Sequence, residues 1–229
     1  MANTDSRRLK LAFLYVFIFT IFIWWLKLAE ALFGWDFLSL GIYPLELRGL
    51  PGILTAPLVH GSWGHVFANT LPLLMLGTAL LYGYPKSRWW TILIIWIGSG
   101  IGVWLTARVS YHLGASGLTH GFMFFIFLSG ILRRDRRSMA LAMFAFFLYG
   151  GMVMTIFPRE INISFESHLW GAIMGVVCAV AFRRRDPKPP RKVYSWELEP
   201  EDAEDPLIGD LWKKEPEPPR KSSSGDTLH

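Results

Sequence analysis

Six stretches of this chain, at residues 11–32, 65–82, 89–107, 116–132, 139–157 and 168–182, are too apolar and too poor in charge for a water-soluble fold to hold them. A helix needs about 20 largely apolar residues to cross a hydrocarbon core about 30 Å thick, and these runs reach or approach that length. Inside lipid every backbone N–H and C=O must find its partner within the protein, which a helix achieves within its own segment. The expected fold class is therefore all-α, a polytopic membrane protein with six transmembrane helices. The first run is too long and bulky for a cleavable leader and no small-residue cleavage site follows it. Trp24, Trp25 and Lys27 stand where an interfacial anchor belongs.

Composition agrees. Hydrophobic residues make up 52% of the 229 positions and charged ones 18%, and mean hydropathy is positive although residues 186–229 are strongly polar. The formal charge of +5 is no nucleic-acid signal, because the basic residues fall between the apolar runs rather than on one amphipathic surface. Arg7, Arg8 and Lys10, then Lys86 and Arg88, then Arg133, Arg134, Arg136 and Arg137, then Arg183, Arg184, Arg185, Lys188, Arg191 and Lys192 mark one side of the membrane; Arg48, Arg108 and Arg159 mark the other. The positive-inside rule puts the richer side, and both termini, in the cytoplasm. Three segments follow: a cytoplasmic N-terminal segment at 1–10, a six-span membrane domain at 11–185, and a tail at 186–229. The tail holds eight of the fourteen prolines and is expected to be a disordered cytoplasmic segment. Its Trp196, Leu207, Ile208, Leu211 and Trp212 are either a short docking element for a cytoplasmic partner or scattered apolar residues. With Cys178 alone, no intrachain disulfide is possible and the redox compartment stays unread.

Polar groups within spans cost several kcal/mol unless paired, so they are functional candidates. Five stand out: His65, Asn69, Ser116, His120 and His168, all in the outer half of their spans by the assigned topology. Between the first and last spans the carboxylates are Glu30, Asp36, Glu46, Asp135, Glu160 and Glu166, all at span ends or in connections. That excludes a membrane aspartyl protease and a zinc protease built on His-Glu-x-x-His, and weakens a proton-coupled carrier. Hydroxyl and imidazole chemistry remains.

Ser116 stands in Gly114-Ala115-Ser116-Gly117, where the fourth span begins. Small neighbours admit a substrate carbonyl, and a helix start offers unpaired N–H groups to an oxyanion; the alternative is an ordinary N-cap serine. Seventeen residues from 116 to 132 rise about 25 Å, less than the core thickness, so Ser116 is expected below the membrane surface. His168 shares a small-residue helix face with Gly171, Gly175 and Cys178, and Gly117 and Gly121 make a matching pair on the fourth span. If the two faces dock, base and nucleophile meet; the alternative is an interfacial histidine capping a span. His65 and Asn69 share a face of the second span and suit an oxyanion hole. The rival is a metal site with His60, which lies five residues before His65 and has no acidic ligand nearby.

At these residues the chain resembles the rhomboid family of intramembrane serine proteases. Three separated motifs carry the resemblance: His60-Gly-Ser-Trp-Gly-His65-Val-Phe-Ala-Asn69, Gly114-Ala115-Ser116-Gly117 and His168-x-x-Gly171-x-x-x-Gly175. The resemblance implies a six-helix rhomboid-like bundle with a long outer loop between spans 1 and 2, here 33–55, lying in the membrane interface. It implies a Ser116/His168 dyad and an oxyanion hole of the Ser116 N–H, His65 and Asn69, with His60 supporting the second-span loop. His120 stands where the family often has an aromatic stacked beside the base. The implied activity is endopeptidase cleavage of membrane-anchored proteins near the outer membrane face, with no cofactor and no metal, in a bacterial inner (cell) membrane. The alternative is a catalytically inactive rhomboid-like protein that binds or escorts membrane proteins. The implied partners are transmembrane substrates and the bilayer.

Overall fold

The computed structural model describes residues 2–158, 163–189, 193–194 and 198. Seven α-helices appear among them: α1 Ala2–Phe33, α2 Gly52–Thr55, α3 Trp63–Gly83, α4 Arg88–Thr106, α5 Ser116–Arg133, α6 Arg136–Tyr149 and α7 Phe165–Phe182. Six helical segments are long and apolar enough to cross a membrane, α6 doing so together with the 3-10 segment Gly150–Ile156 that continues it. The fifth span was expected as one helix over 139–157; Gly150 and Gly151 follow its α-helical part, and a chain with little to hold α geometry tightens into 3-10 turns there.

Helix starts follow local chemistry. Ser62 Oγ accepts the His65 N–H at 3.1 Å and begins α3, Asp135 accepts the Ser138 N–H at 3.0 Å and begins α6, and Ser164 caps α7 through the Ser167 N–H. Arg134 ends α5 in the left-handed region at φ 54°. Two expected boundaries move. His168 lies within the first turns of α7 rather than at its start, because Ser164 takes the capping role. The fourth span has 18 residues and rises about 27 Å, still shorter than the hydrocarbon core.

α5 is the central helix, packed against α7, α6, α3 and α4, while α1 lies on α3. Without a hydrophobic force between helices in lipid, this packing rests on close approach and interhelical hydrogen bonds. The α5–α7 seam shows how close. A Cβ on Gly171 would overlap the Gly117 carbonyl oxygen, and one on Gly175 would overlap the Gly121 carbonyl oxygen. At the α1–α3 contact, Trp24 Nε1 donates to Thr70 Oγ1 at 3.0 Å.

The loop between α1 and α3 is built rather than slack. Ile42 and His112 exchange two backbone hydrogen bonds of 2.8 Å, Thr55 Oγ1 donates to the Leu40 carbonyl at 2.6 Å, and Trp96 and Trp104 of α4 donate to the Leu54 and Glu46 carbonyls. Trp35, Leu45, Leu47 and Leu54 remain exposed on its outside, an apolar rim.

At the opposite end, the guanidinium of buried Arg133 donates to Asp135, to the Ser138 hydroxyl and to the carbonyls of Arg183, Asp186 and Pro187. Burial alone would raise Asp135, but hydrogen bonds from the Ser138 backbone and hydroxyl, together with Arg133, hold it below its ordinary range. The Asp186 carboxylate accepts from the Lys86 and Ser87 N–H groups and the Ser87 hydroxyl, tying the start of the polar tail to the α3–α4 connection. One compact unit accordingly runs to Pro189. Most of the tail, with Trp196, Leu207, Ile208, Leu211 and Trp212, lies outside the described residues.

Candidate active site

Where α5 and α7 begin, a cavity of about 720 Å³ opens between the helices, lined among others by His65, Asn69, Ser116, His120, Thr155 and His168. All five polar residues singled out from the sequence therefore reach one space.

Ser116 is the first residue of α5, and Ala115, not Ser116, occupies the cap position, so its hydroxyl is not spent on capping. The backbone before it is pinned from two sides. The Gly114 N–H donates to the Ala56 carbonyl at 2.8 Å, and the Ala115 N–H donates to His60 Nε2 at 3.3 Å. Gly114 turns at φ +105°, where its missing side chain leaves room for the His65 imidazole; a Cβ there would collide with that ring. His60 does not line the cavity. It is buried, its carbonyl accepts from Lys27 Nζ at 3.1 Å, and its ring stands edge-on to that of His65 with centroids 4.9 Å apart. The His60 ring thus braces the turn before Ser116 and packs against His65 of α3. Burial, with His65 and Lys27 nearby, pushes its pKa down to about 3, which keeps Nε2 a lone-pair acceptor.

On α3, Asn69 is buried and donates one amide proton to the His65 carbonyl at 2.9 Å, leaving its other N–H for the cavity.

The two histidines differ in their contacts. His120 and His168 stack nearly parallel, centroids 3.9 Å apart and planes 11° apart. His120 has both nitrogens occupied: Nδ1 faces the Ser116 carbonyl at 2.6 Å and Nε2 the Thr155 hydroxyl at 2.8 Å. His168 Nδ1 lies 3.0 Å from the Thr155 carbonyl. A carbonyl only accepts, so Nδ1 carries the proton and Nε2 of His168 bears the lone pair. Among the described residues no hydrogen bond joins Ser116 Oγ to His168, whose Nδ1 is turned to Thr155.

Sequence reasoning missed Thr155, His112 and Ser164. Thr155 meets His168 through a backbone carbonyl, which any residue type supplies. His112 is buried, donates Nε2–H to the Arg108 carbonyl at 3.0 Å and takes the Ser164 hydroxyl at 2.6 Å. A histidine four residues before Ser116 was the visible signal, but its partner lies 52 positions away. Glu166 is buried too, with one oxygen 3.4 Å from the Arg108 guanidinium.

These features define a multi-pass integral membrane protein whose polar centre is a cavity between spans, with a serine at one helix start and an oriented histidine on its neighbour. The family model for the Rhomboid domain matches residues 48–185, and the chain belongs to the rhomboid family. It is similar to uncharacterized proteins of Mycobacterium tuberculosis and Mycobacterium bovis, each 34% identical over 173 residues that cover 72% of this chain and 72% of the relative. A third, from Mycobacterium leprae, is 34% identical over 148 residues, covering 61% of this chain and 59% of the relative.

Proposed function

We propose that the chain is an intramembrane serine endopeptidase that cleaves membrane-anchored proteins with a Ser116/His168 dyad. One observation carries the reading: His168 is held in the tautomer that leaves Nε2 basic, on the helix that docks through glycines against the one bearing Ser116. His120, with both nitrogens engaged, is not free to act as the base.

In the proposed cycle His168 Nε2 takes the proton of the Ser116 hydroxyl as its oxygen attacks the substrate carbonyl. The oxyanion is met by the Ser116 N–H at the start of α5, the remaining Asn69 amide proton and the His65 imidazole, groups already fixed before the charge develops. His168 then protonates the leaving amine, and water from the cavity hydrolyses the acyl-enzyme by the same proton route. No step calls for a cofactor. The basic connections orient the site toward the outer half of a bacterial inner membrane, with both termini cytoplasmic.

The test is cleavage of single-span reporter proteins by the purified protein in detergent. The parent is expected to cut, while Ser116→Ala and His168→Ala each abolish cutting and the double variant is no worse, because the pair acts as one unit. Reporter binding without cleavage by the parent would favour the inactive escort reading instead.

A further inference from the structure

In a serine triad a carboxylate orients the base and fixes its tautomer. Here the nearby carboxylate, Glu166, is turned to the Arg108 backbone and guanidinium. The orienting contacts come from one residue on the 3-10 segment Gly150–Ile156. The Thr155 carbonyl receives His168 Nδ1–H at 3.0 Å, and the Thr155 hydroxyl meets His120 Nε2 at 2.8 Å. His120 in turn reaches the Ser116 carbonyl at 2.6 Å and stacks on His168 at 3.9 Å. Thr155 closes a ring of contacts that runs through both imidazoles and returns to the turn bearing Ser116.

We infer that Thr155 is the positioning residue of this site, orienting the base directly through its carbonyl and indirectly, through its hydroxyl and His120. The inference rests on the proposed function. Two physical arguments support it. Carbonyls at the C-terminal end of a helical segment carry partial negative charge, so the Thr155 carbonyl favours the imidazolium that His168 becomes, part of what a carboxylate otherwise does. The proton count around His120 makes the hydroxyl specific. With Nδ1–H donated to the Ser116 carbonyl, neutral His120 presents a lone pair at Nε2, and Thr155 must donate to it. The same hydroxyl lies 2.8 Å from the Met152 carbonyl, its alternative acceptor. Thr155 thus selects the His120 tautomer that holds Ser116, and a side chain of equal shape without the hydroxyl leaves Nε2 unpaired in a buried place.

The experiment is reporter cleavage by the full chain carrying Thr155→Val, Thr155→Ser, His120→Phe or both Thr155→Val and His120→Phe. Thr155→Val is expected to lower kcat about 3- to 10-fold with KM within about twofold, and Thr155→Ser to stay near the parent. His120→Phe, which keeps the stack, retains substantial activity, and adding Thr155→Val to it brings no further loss, since the hydroxyl acts through His120. Thr155→Ala replaces the valine variant should that one not fold. Parent-like kcat in the hydroxyl-free variant, an equal loss in Thr155→Ser, or a multiplied loss in the double variant overturns the inference. Those results leave the proposed function standing provided Ser116→Ala is inactive; a fully active Ser116→Ala removes both.

Discussion

His60 shows how a residue that does not line the cavity can hold the backbone next to one that does, since its ring accepts the N–H of Ala115, the residue before Ser116. Its Nε2 must stay unprotonated to accept the Ala115 N–H, and burial, with His65 and Lys27 as smaller causes, holds its pKa near 3 against 6.5 for a free histidine. The unfolded chain therefore binds more protons than the folded one between those values. This contribution to stability is complete above about pH 6.5 and is lost progressively as pH falls toward 3. His112, also buried and also lowered, pulls in the same direction. Thermal unfolding in detergent is expected to show Tm falling between pH 7.5 and 5, with a shallower fall in His60→Gln, which keeps an acceptor that does not titrate. An unchanged slope in that variant would assign the acid sensitivity to other groups. The sequence offered His60 as a loop support or a metal ligand; its acceptor role was hidden, because Ala115 is 55 residues away and contributes only a backbone N–H.

Between helices the decisive feature is the α5–α7 seam. The glycine offsets in both helices were readable as faces suited to close approach, and the structure docks them. A methyl group on Gly171 has only the Gly117 backbone to displace, so Gly171→Ala must push the two helices apart; overpacking of this kind costs about 1–3 kcal/mol. Under the proposed function activity is expected to suffer more than stability, because a shift of about 1 Å between Ser116 and His168 can cost about 10²-fold in rate. Gly151→Ala is the control, since nothing lies within 4 Å of where its Cβ would stand. If Gly171→Ala cleaves the reporter like Gly151→Ala, the seam does not set the dyad. The 3-10 segment after α6 was not legible as such. Its apolar residues satisfy the same hydropathy rule as an α-helical span, and only the contacts of Thr155 reveal why its path matters.

For the molecule as a whole, the orientation in the membrane rests on the basic connections, and it is open to a direct check. In intact cells, on a Cys178→Ala background, single cysteines at Arg134 and in the tail are expected to resist an impermeant thiol reagent, whereas cysteines at Arg48 and Arg159 react. Labelling of a tail cysteine from outside would reverse the arrangement and put the cavity at the cytoplasmic face. The sequence alone determined the six spans, the family resemblance and the handful of polar residues worth following, because lipid tolerates only long apolar helices and makes each polar exception conspicuous. Tertiary structure alone decided which nitrogen of each histidine is engaged, that Ala115 rather than Ser116 caps α5, and that Thr155 joins the site. It also decided that Arg133 and Asp186 bind the ends of three connections together. The physical reason is common to all four. Hydropathy and spacing are properties of a single segment, whereas a hydrogen bond to a distant backbone group depends on where the chain returns, and the identity of the accepting residue leaves no trace in its side chain.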